Sequence, residues 1–170
     1  MIRDQWMRDA LLAMGQQDAG QGTYVHLYLN GLYWGVYNLH ERPRAAHYAD
    51  YNGGAGAEED DYDALNSGEV EDGNTSSWNS LLKLIGNLGS GGISLAEYQQ
   101  IAERLDLANL ADYMIANHYG ANADWDHHNW RSAGGGSAGG PWRIYSWDAE
   151  RVLESVSSDR TGESRGPVSA

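Results

Sequence analysis

The chain has 170 residues, with 24 acidic against 11 basic side chains, a formal net charge of -13 and no cysteine. This charge repels phosphate backbones and disfavours nucleic-acid binding. The lack of cysteine excludes disulfides, thiolate metal sites and cysteine nucleophiles. Hydrophobic residues make up 41% of the chain, which has 7 Trp and 11 Tyr, so we expect one packed domain or a piece of one. No apolar run approaches the ~20 residues that span a bilayer, and the first residues lack the apolar core of a signal peptide.

The N-terminal part of the chain predicts a short helix followed by a β-hairpin. Loosely spaced apolar residues indicate a helix from Gln5 to Met14, which later glycines end. Aromatic and β-branched residues then predict strands at about 24–29 and 32–39. Between them, the pair Asn30-Gly31 tolerates positive φ at both positions and predicts a two-residue turn.

This hairpin carries an aromatic band, which consists of Tyr28, Tyr33, Trp34 and Tyr37. Strand alternation leaves only one face of a hairpin free, so we expect these rings to pack in the core. The alternative is a flat aromatic platform that stacks on sugars. In that case the chain would be a surface-binding module without catalytic activity.

The middle of the chain predicts helices separated by polar loops. Pro43 suits a first helical turn, and residues 44–51 follow as a short helix. The acidic run 58–61 is interpreted as a solvated loop, with divalent-ion binding as the minority alternative. An apolar stripe over 74–88 predicts a longer helix, with Lys83, the chain's one lysine, on its solvent side.

Two capping signals predict the starts of the next two helices. Ser94 and Glu97 form a capping box, and the helix that they open should run to about Leu105. Asp106 caps the following helix.

The last part of the chain predicts an irregular segment and a second hairpin. Residues 121–131 are polar and aromatic without a regular period, so we expect a loop there. The tract 132–140, SAGGGSAGG, is interpreted as a flexible tip between two strands. Helices and hairpins without βαβ units predict an α+β fold.

Three oxygen-bearing side chains stand at loop and strand ends, where they can converge. Asp124 precedes Asn129 by five positions, and Asp148 follows an apolar strand. Phosphoryl transfer uses one carboxylate to orient the attacking hydroxyl, and an amide and a second carboxylate to hold Mg²⁺. Protein kinases use the same order of residues. The alternative is that Asp124 caps a turn and Asp148 is solvated.

Two adjacent histidines offer a different metal chemistry. His127 and His128, together with Asp124, Asp126 and Asp148, have the composition of a His/carboxylate site, as in a metal-dependent phosphoesterase. On an extended segment adjacent side chains point to opposite sides, so at most one histidine should ligate. Alternatively, both are loop residues that stack on neighbouring tryptophans. The four tryptophans around this region, Trp125, Trp130, Trp142 and Trp147, either exclude water from the site or fill the core beneath it.

Four longer stretches together resemble the CotH family, the spore-coat-protein-H-like proteins with an atypical protein-kinase fold. They are YLNGLYWGVYNLHERP (28–43), DYDALNSGEVEDGNTSSWNSLL (61–82), DYMIANHYGANADWDHHNW (112–130) and PWRIYSWDAE (141–150). The resemblance covers about 3–160 in the family's order. It implies a truncated kinase-like domain over 1–160, followed by a polar tail at 161–170.

The resemblance also implies roles for individual residues. Asp124 matches the catalytic-loop aspartate, Asn129 and Asp148 match the metal-binding positions, and Glu150 is an additional candidate ligand. The implied cofactors are ATP with Mg²⁺ or Mn²⁺. The implied partner is a protein with a Ser or Thr acceptor, and the implied location is the spore coat or the cell surface.

One position departs from the family pattern. Family members often carry a lysine where this chain has Asn66, and an amide cannot supply the cation that a kinase places on the α/β-phosphates. Arg42 or Arg131 could take over this role, and Arg42 is our candidate cofactor-binding residue. If neither does so, the chain would be a pseudokinase.

Overall fold

The computed structural model describes residues 2–88 and 92–162, which form a mixed α+β fold. This confirms the predicted fold class. The predicted polar tail at 161–170 lies mostly outside the described residues. In chain order the elements are α1 (Ile2–Ala13), β1 (Gly22–Leu29), β2 (Leu32–His40), α2 (Ala45–Asn52), a 3₁₀ turn (Glu59–Asp61), β3 (Asp63–Asn66), β4 (Glu69–Asp72), α3 (Ser76–Gly86), α4 (Leu95–Ala102), α5 (Leu107–Tyr119), β5 (Trp130–Gly135) and β6 (Gly140–Ser146).

The helix starts follow the predicted caps. The hydroxyl of Ser94 accepts a hydrogen bond from the Glu97 backbone at 3.3 Å, and the Ser94 backbone donates to the Glu97 carboxylate at 2.8 Å. The Asp106 carboxylate accepts from the backbone three residues later, at 2.9 Å. Helix α4 ends at Ala102, slightly earlier than predicted. Within the part of the chain that the structure describes, no helix combines the length and apolar character needed to cross a membrane.

The hairpin β1–β2 forms a sheet of its own, and its aromatic band is exposed. Asn30 and Gly31 have φ of 50° and 81°, which confirms the predicted turn. Tyr28 is 61% exposed and Trp34 is 58% exposed, so the prediction that the band packs in the core is wrong. The reason is topological, since within residues 2–88 and 92–162 β1 and β2 pair with each other and no third strand extends their sheet.

The second sheet has the antiparallel order β4-β3-β5-β6. Strands β3 and β4 were not predicted from the sequence, because each is only four residues long. Their turn consists of Ser67 and Gly68, with φ of 49° and 88°, and a Ser-Gly pair is a turn signal. The carboxylate of Asp72 in β4 accepts a hydrogen bond from the Ala45 backbone at 3.1 Å and so caps α2.

Most of the glycine tract is strand rather than flexible tip. Residues 132–135 belong to β5 and are buried, and only residues 136–139 form the turn. Gly134 has φ of 142°, and a Cβ there would lie 2.7 Å from the Cα of Trp142 in β6. The glycines therefore allow strands β5 and β6 to approach each other closely. The composition alone suggested a flexible tip at this place.

The four-stranded sheet separates two clusters of buried residues. On one side it packs against α3, α4 and α5, with β6 contributing Trp142 and Ile144. On the other side it packs against α2, with β6 contributing Tyr145. This sandwich fixes the start of β5 and the end of β6, where the candidate site residues lie.

Candidate functional site

Two loops meet at the end of the β5–β6 pair. The first, residues 120–129, leads from α5 into β5, and the second, residues 147–153, follows β6. The backbone N–H of Ala123 donates to the carbonyl of Arg151 at 3.1 Å. The loops are therefore bound side by side, as convergence of their oxygen-bearing side chains requires.

Asn129 and Asp148 lie next to each other, one in each loop. The side-chain amide of Asn129 donates to the backbone carbonyl of Asp148 at 3.3 Å, so the Asn129 amide oxygen is left for another partner. Their φ values are 63° and 51°, a region that Asn and Asp tolerate best among non-glycine residues. Such backbone conformations cluster at functional sites. Of the six non-glycine residues with positive φ among the described residues, four lie in these loops: Ala121, Asn129, Asp148 and Leu153.

Asp124 is held by a chain of buried amides that no sequence pattern predicted. Its backbone N–H donates to the side chain of Asn122 at 3.1 Å, and Asn122 donates to Asn117 at 2.9 Å. Both asparagines are at most 2% exposed. The half-buried Asp124 carboxylate lies 3.7 Å from the Arg151 guanidinium and 3.9 Å from the His128 ring. The side chain that caps this turn is that of Asn122, whereas the alternative interpretation named Asp124. The other half of that alternative, a solvated Asp148, agrees with the exposed Asp148 of the structure.

Next to the loops, two arginines share one glutamate. Arg131 in β5 is the cross-strand partner of Asn66 in β3, and its side chain forms a buried ion pair with Glu71. Its guanidinium lies 4.1 Å from the centre of the Trp147 ring. Arg42 also pairs with Glu71, and lies 5.8 Å from the same ring. The structure thus brings Arg42 and Arg131, the two candidate replacements for the lysine, beside Trp147, which directly precedes Asp148.

The arginine pair carries a local excess of positive charge. Burial, followed by the charges of Arg42 and Arg44, lowers the pKa of Arg131 to about 10, which leaves it protonated at neutral pH. Arg44 has its own partner in Asp72, whereas Arg42 and Arg131 share Glu71. Arg42 is the exposed member of the pair, with 52% of its side chain accessible, and so presents a positive charge that suits an anionic ligand.

A family model described as CotH kinase protein matches residues 1–169. The chain belongs to the CotH kinase family. No curated protein matches it. Membership associates the chain with kinase-like spore coat proteins, as the resemblance implied.

The site loops of this CotH kinase family member carry oxygen atoms of the kind that a hard divalent cation takes as ligands. The Asn129 amide oxygen and the exposed Asp148 carboxylate are oxygen donors, and Mg²⁺ is commonly held by one or two protein oxygens together with substrate phosphates and water. Residues 2–88 and 92–162 contain no group of three His, Asp or Glu side chains placed to hold a metal ion. A site here would therefore depend on the nucleotide for its remaining ligands.

Glu150, His127 and His128 are further candidate metal ligands from the sequence. Glu150 is half-buried, and its backbone carbonyl accepts from Arg3 at 3.3 Å. The rings of His127 and His128 contact each other with centroids 4.1 Å apart, so the prediction of opposite orientations is wrong. The reason is that the segment is a turn and not extended chain. Both histidine side chains are about half exposed, at 54% and 47%.

The remaining candidates divide between core and surface. Lys83 is exposed on α3, as predicted. Trp125, Trp130 and Trp142 are at most 4% exposed and fill the core. The alternative interpretation had both histidines stacking on tryptophans, whereas in the structure the two histidine rings contact each other. Of the four tryptophans around the site, Trp147 is the half-buried one, and it lies against the arginine pair.

Proposed function

We propose that this chain transfers the terminal phosphoryl group of ATP to a Ser or Thr hydroxyl of a spore coat or surface protein, with Mg²⁺ or Mn²⁺. The observation that carries the proposal is the hydrogen bond between Asn129 and Asp148, which joins the two predicted metal-binding residues across separate loops. Family membership supports the kinase class of the reaction.

Asp124 is the residue that orients the acceptor. Its carboxylate accepts the hydroxyl proton while the hydroxyl oxygen forms a bond to the γ-phosphorus and the bond to the bridging oxygen breaks, releasing ADP. The buried amides of Asn117 and Asn122 hold the backbone of Asp124, so its carboxylate is positioned before the acceptor arrives. Asn129, Asp148 and additionally Glu150 are the candidate metal ligands. A bound divalent cation would neutralise charge on the phosphates.

Arg42 is proposed to contact the nucleotide phosphates in place of the lysine that Asn66 replaces. Its side chain is 52% exposed, so it can leave Glu71 at little cost. Arg131 is 2% exposed at its side chain and stays in place. The Arg131–Glu71 pair therefore acts as a fixed support, and Arg42 is the mobile cation.

The test is transfer of label from γ-³²P-ATP to dephosphorylated casein in the presence of Mn²⁺. Asp124→Ala and Asp148→Ala should each lower the rate by about 100-fold or more, in the range expected for a lost acid–base or charge-stabilising group. Asp50→Ala is the matched control, because Asp50 is exposed on α2, outside both site loops. It should change the rate by less than about twofold. Equal labelling by the three variants would refute the assigned roles.

A nucleotide-binding pseudokinase is the second candidate. It is favoured by Asn66 and by the fact that Glu71 already pairs with both arginines. Calorimetric titration with ATP and Mn²⁺ separates the two functions, because a pseudokinase would bind without transferring label. In either case Arg42→Ala should weaken binding by about tenfold, which corresponds to ~1.4 kcal/mol. Absence of metal-assisted nucleotide binding would exclude both.

A further inference from the structure

The hairpin β1–β2 presents an uncharged surface on a strongly acidic protein. Residues 22–40 contain no Asp, Glu, Lys or Arg, although the chain carries 24 acidic and 11 basic residues. Large side chains on both strands are exposed, up to 69% for Leu32. A contiguous exposed patch of this kind marks an interaction site.

The strand register divides these side chains between two faces. We define the aromatic face by Tyr24, His26, Tyr28, Tyr33, Val36 and Asn38, and the aliphatic face by Val25, Leu29, Leu32, Tyr37 and Leu39. The register shifts by one residue at Trp34, which has no cross-strand partner. The aromatic band of the sequence is therefore split, with Tyr28 and Tyr33 on one face and Tyr37 on the other.

The rings of the aromatic face are held in place by each other. Tyr28 and Tyr33 are cross-strand partners with ring centroids 5.2 Å apart and a tilt of 49°. The hydroxyl of Tyr33 lies 3.1 Å from the ring nitrogen of His26. Both tyrosines nevertheless remain more than half exposed, at 61% and 54%. The face thus offers preorganised ring surfaces with polar groups at their edges.

Contacts near its base anchor the hairpin to the rest of the domain. Asn38 accepts a hydrogen bond from Arg8 and donates one to Gln5, both at 3.0 Å. The ring of His40 contacts Trp147 with centroids 5.4 Å apart. The outer half of the hairpin, with Tyr28 and Tyr33, lies beyond these anchors and stays exposed.

We propose that the aromatic face binds an uncharged polysaccharide. Ring faces cover the C–H faces of sugars, while tyrosine hydroxyls, the His26 ring and the Asn38 amide can exchange hydrogen bonds with sugar hydroxyls. Tyr24 and Tyr28 are four residues apart on one strand, so the face extends for roughly 13 Å, enough for a short oligosaccharide.

Charge disfavours three other classes of partner. The net charge of -13 repels acidic polysaccharides and membranes, and the hairpin has no carboxylate to pair with a cationic partner. A second copy of the chain would bring two acidic bodies together. A neutral polyhydroxylated chain meets neither penalty. This site is independent of the proposed phosphotransfer, and either can fail without the other.

Affinity electrophoresis tests the proposal in gels that contain hydroxyethylcellulose, xylan or glucomannan, with polygalacturonate as the acidic comparison. At least one neutral polymer should retard the chain. The double variant Tyr28→Ala/Tyr33→Ala should weaken the retardation by about tenfold or more, since an aromatic contact contributes about 1 kcal/mol per ring. Leu32→Ala/Leu39→Ala is the matched control on the aliphatic face, at 69% and 65% exposure, and should stay within about twofold of the parent.

Several results of these experiments would overturn the proposal. The proposal is overturned if no neutral polymer retards the chain, if both double variants lose retardation equally, or if polygalacturonate binds as well as the neutral polymers. A dimer in sedimentation equilibrium that uses the hairpin would also overturn it. A measurement without variants guards against misfolding: titration with cellohexaose should shift the NMR ring resonances of Tyr28 and Tyr33, and not the methyl resonances of Leu32 and Leu39. The reverse pattern would contradict the assignment.

Discussion

Replacing Glu71 by glutamine tests the arginine support of the site. The change preserves the shape of the side chain and removes its charge. Arg131, with 2% of its side chain exposed, would then keep a buried positive charge without its counter-ion. Arg42 is 52% exposed and can be solvated, so the cost arises almost entirely at Arg131.

The magnitude follows from the burial of the pair. Breaking a buried ion pair by removing one partner costs about 3–5 kcal/mol. Glu71 is 17% exposed, and glutamine still offers an oxygen to Arg131, so we expect about 2–3 kcal/mol for Glu71→Gln. For a chain of this size, each kcal/mol shifts the thermal midpoint by roughly 2–4 °C. The midpoint should therefore fall by about 5–10 °C.

The assay is thermal unfolding followed by circular dichroism near neutral pH. Glu69→Gln is the matched control, because Glu69 is exposed on the same strand two residues earlier, and it should cost less than about 0.5 kcal/mol. Addition of ATP and Mn²⁺ should raise the midpoint of Glu71→Gln more than that of the parent, since the exposed Arg42 no longer has to leave an ion pair before it binds phosphate. If Glu71→Gln unfolds within about 1 °C of the control, the buried-charge argument is wrong.

Three further predictions concern stability. Burial raises the pKa of Asp18, but the hydrogen bond from Asn52 and the charge of Arg143 outweigh it, so the pKa falls below its ordinary value of 3.8. Its stabilising effect is therefore complete above about pH 4 and is lost as the pH falls through the lowered pKa, and urea titrations should show this loss in the parent and not in Asp18→Asn. Ser94→Ala should cost about 1 kcal/mol in urea unfolding by removing the α4 cap. Gly134→Ala should cost more than about 2 kcal/mol, because its Cβ would meet the Trp142 backbone at 2.7 Å.

Each of these has a control or a contradicting result. A parent chain and Asp18→Asn with parallel pH dependence would contradict the assigned role of the carboxylate. For Ser94, the control is Ser157→Ala, an exposed serine outside the helices and strands, and an equal cost would contradict the capping argument. For Gly134, Gly139→Ala keeps the strain of a positive φ but meets no atom within 4 Å. Gly134→Ala should therefore be the more destabilising of the two.

The sequence predicted the features that neighbouring residues control. The caps at Ser94 and Asp106 and the Asn30-Gly31 turn depend on contacts within three residues, and each is confirmed. The order of Asp124, Asn129 and Asp148 was likewise visible in the chain. Their placement at loop and strand ends was enough to predict that they could converge.

The tertiary structure decided what depends on distant partners. The cap of α2 comes from Asp72, far along the chain from Ala45, and no local pattern announces it. The position of Arg131 beside Asn66 results from the pairing of β5 with β3. Residues 132–140 look flexible by composition, yet most of them lie in strands β5 and β6, because their glycines let the two strands approach each other. Burial and strand register are set by which segments pack together, and that choice depends on the free energy of the whole chain and not on any short stretch of it.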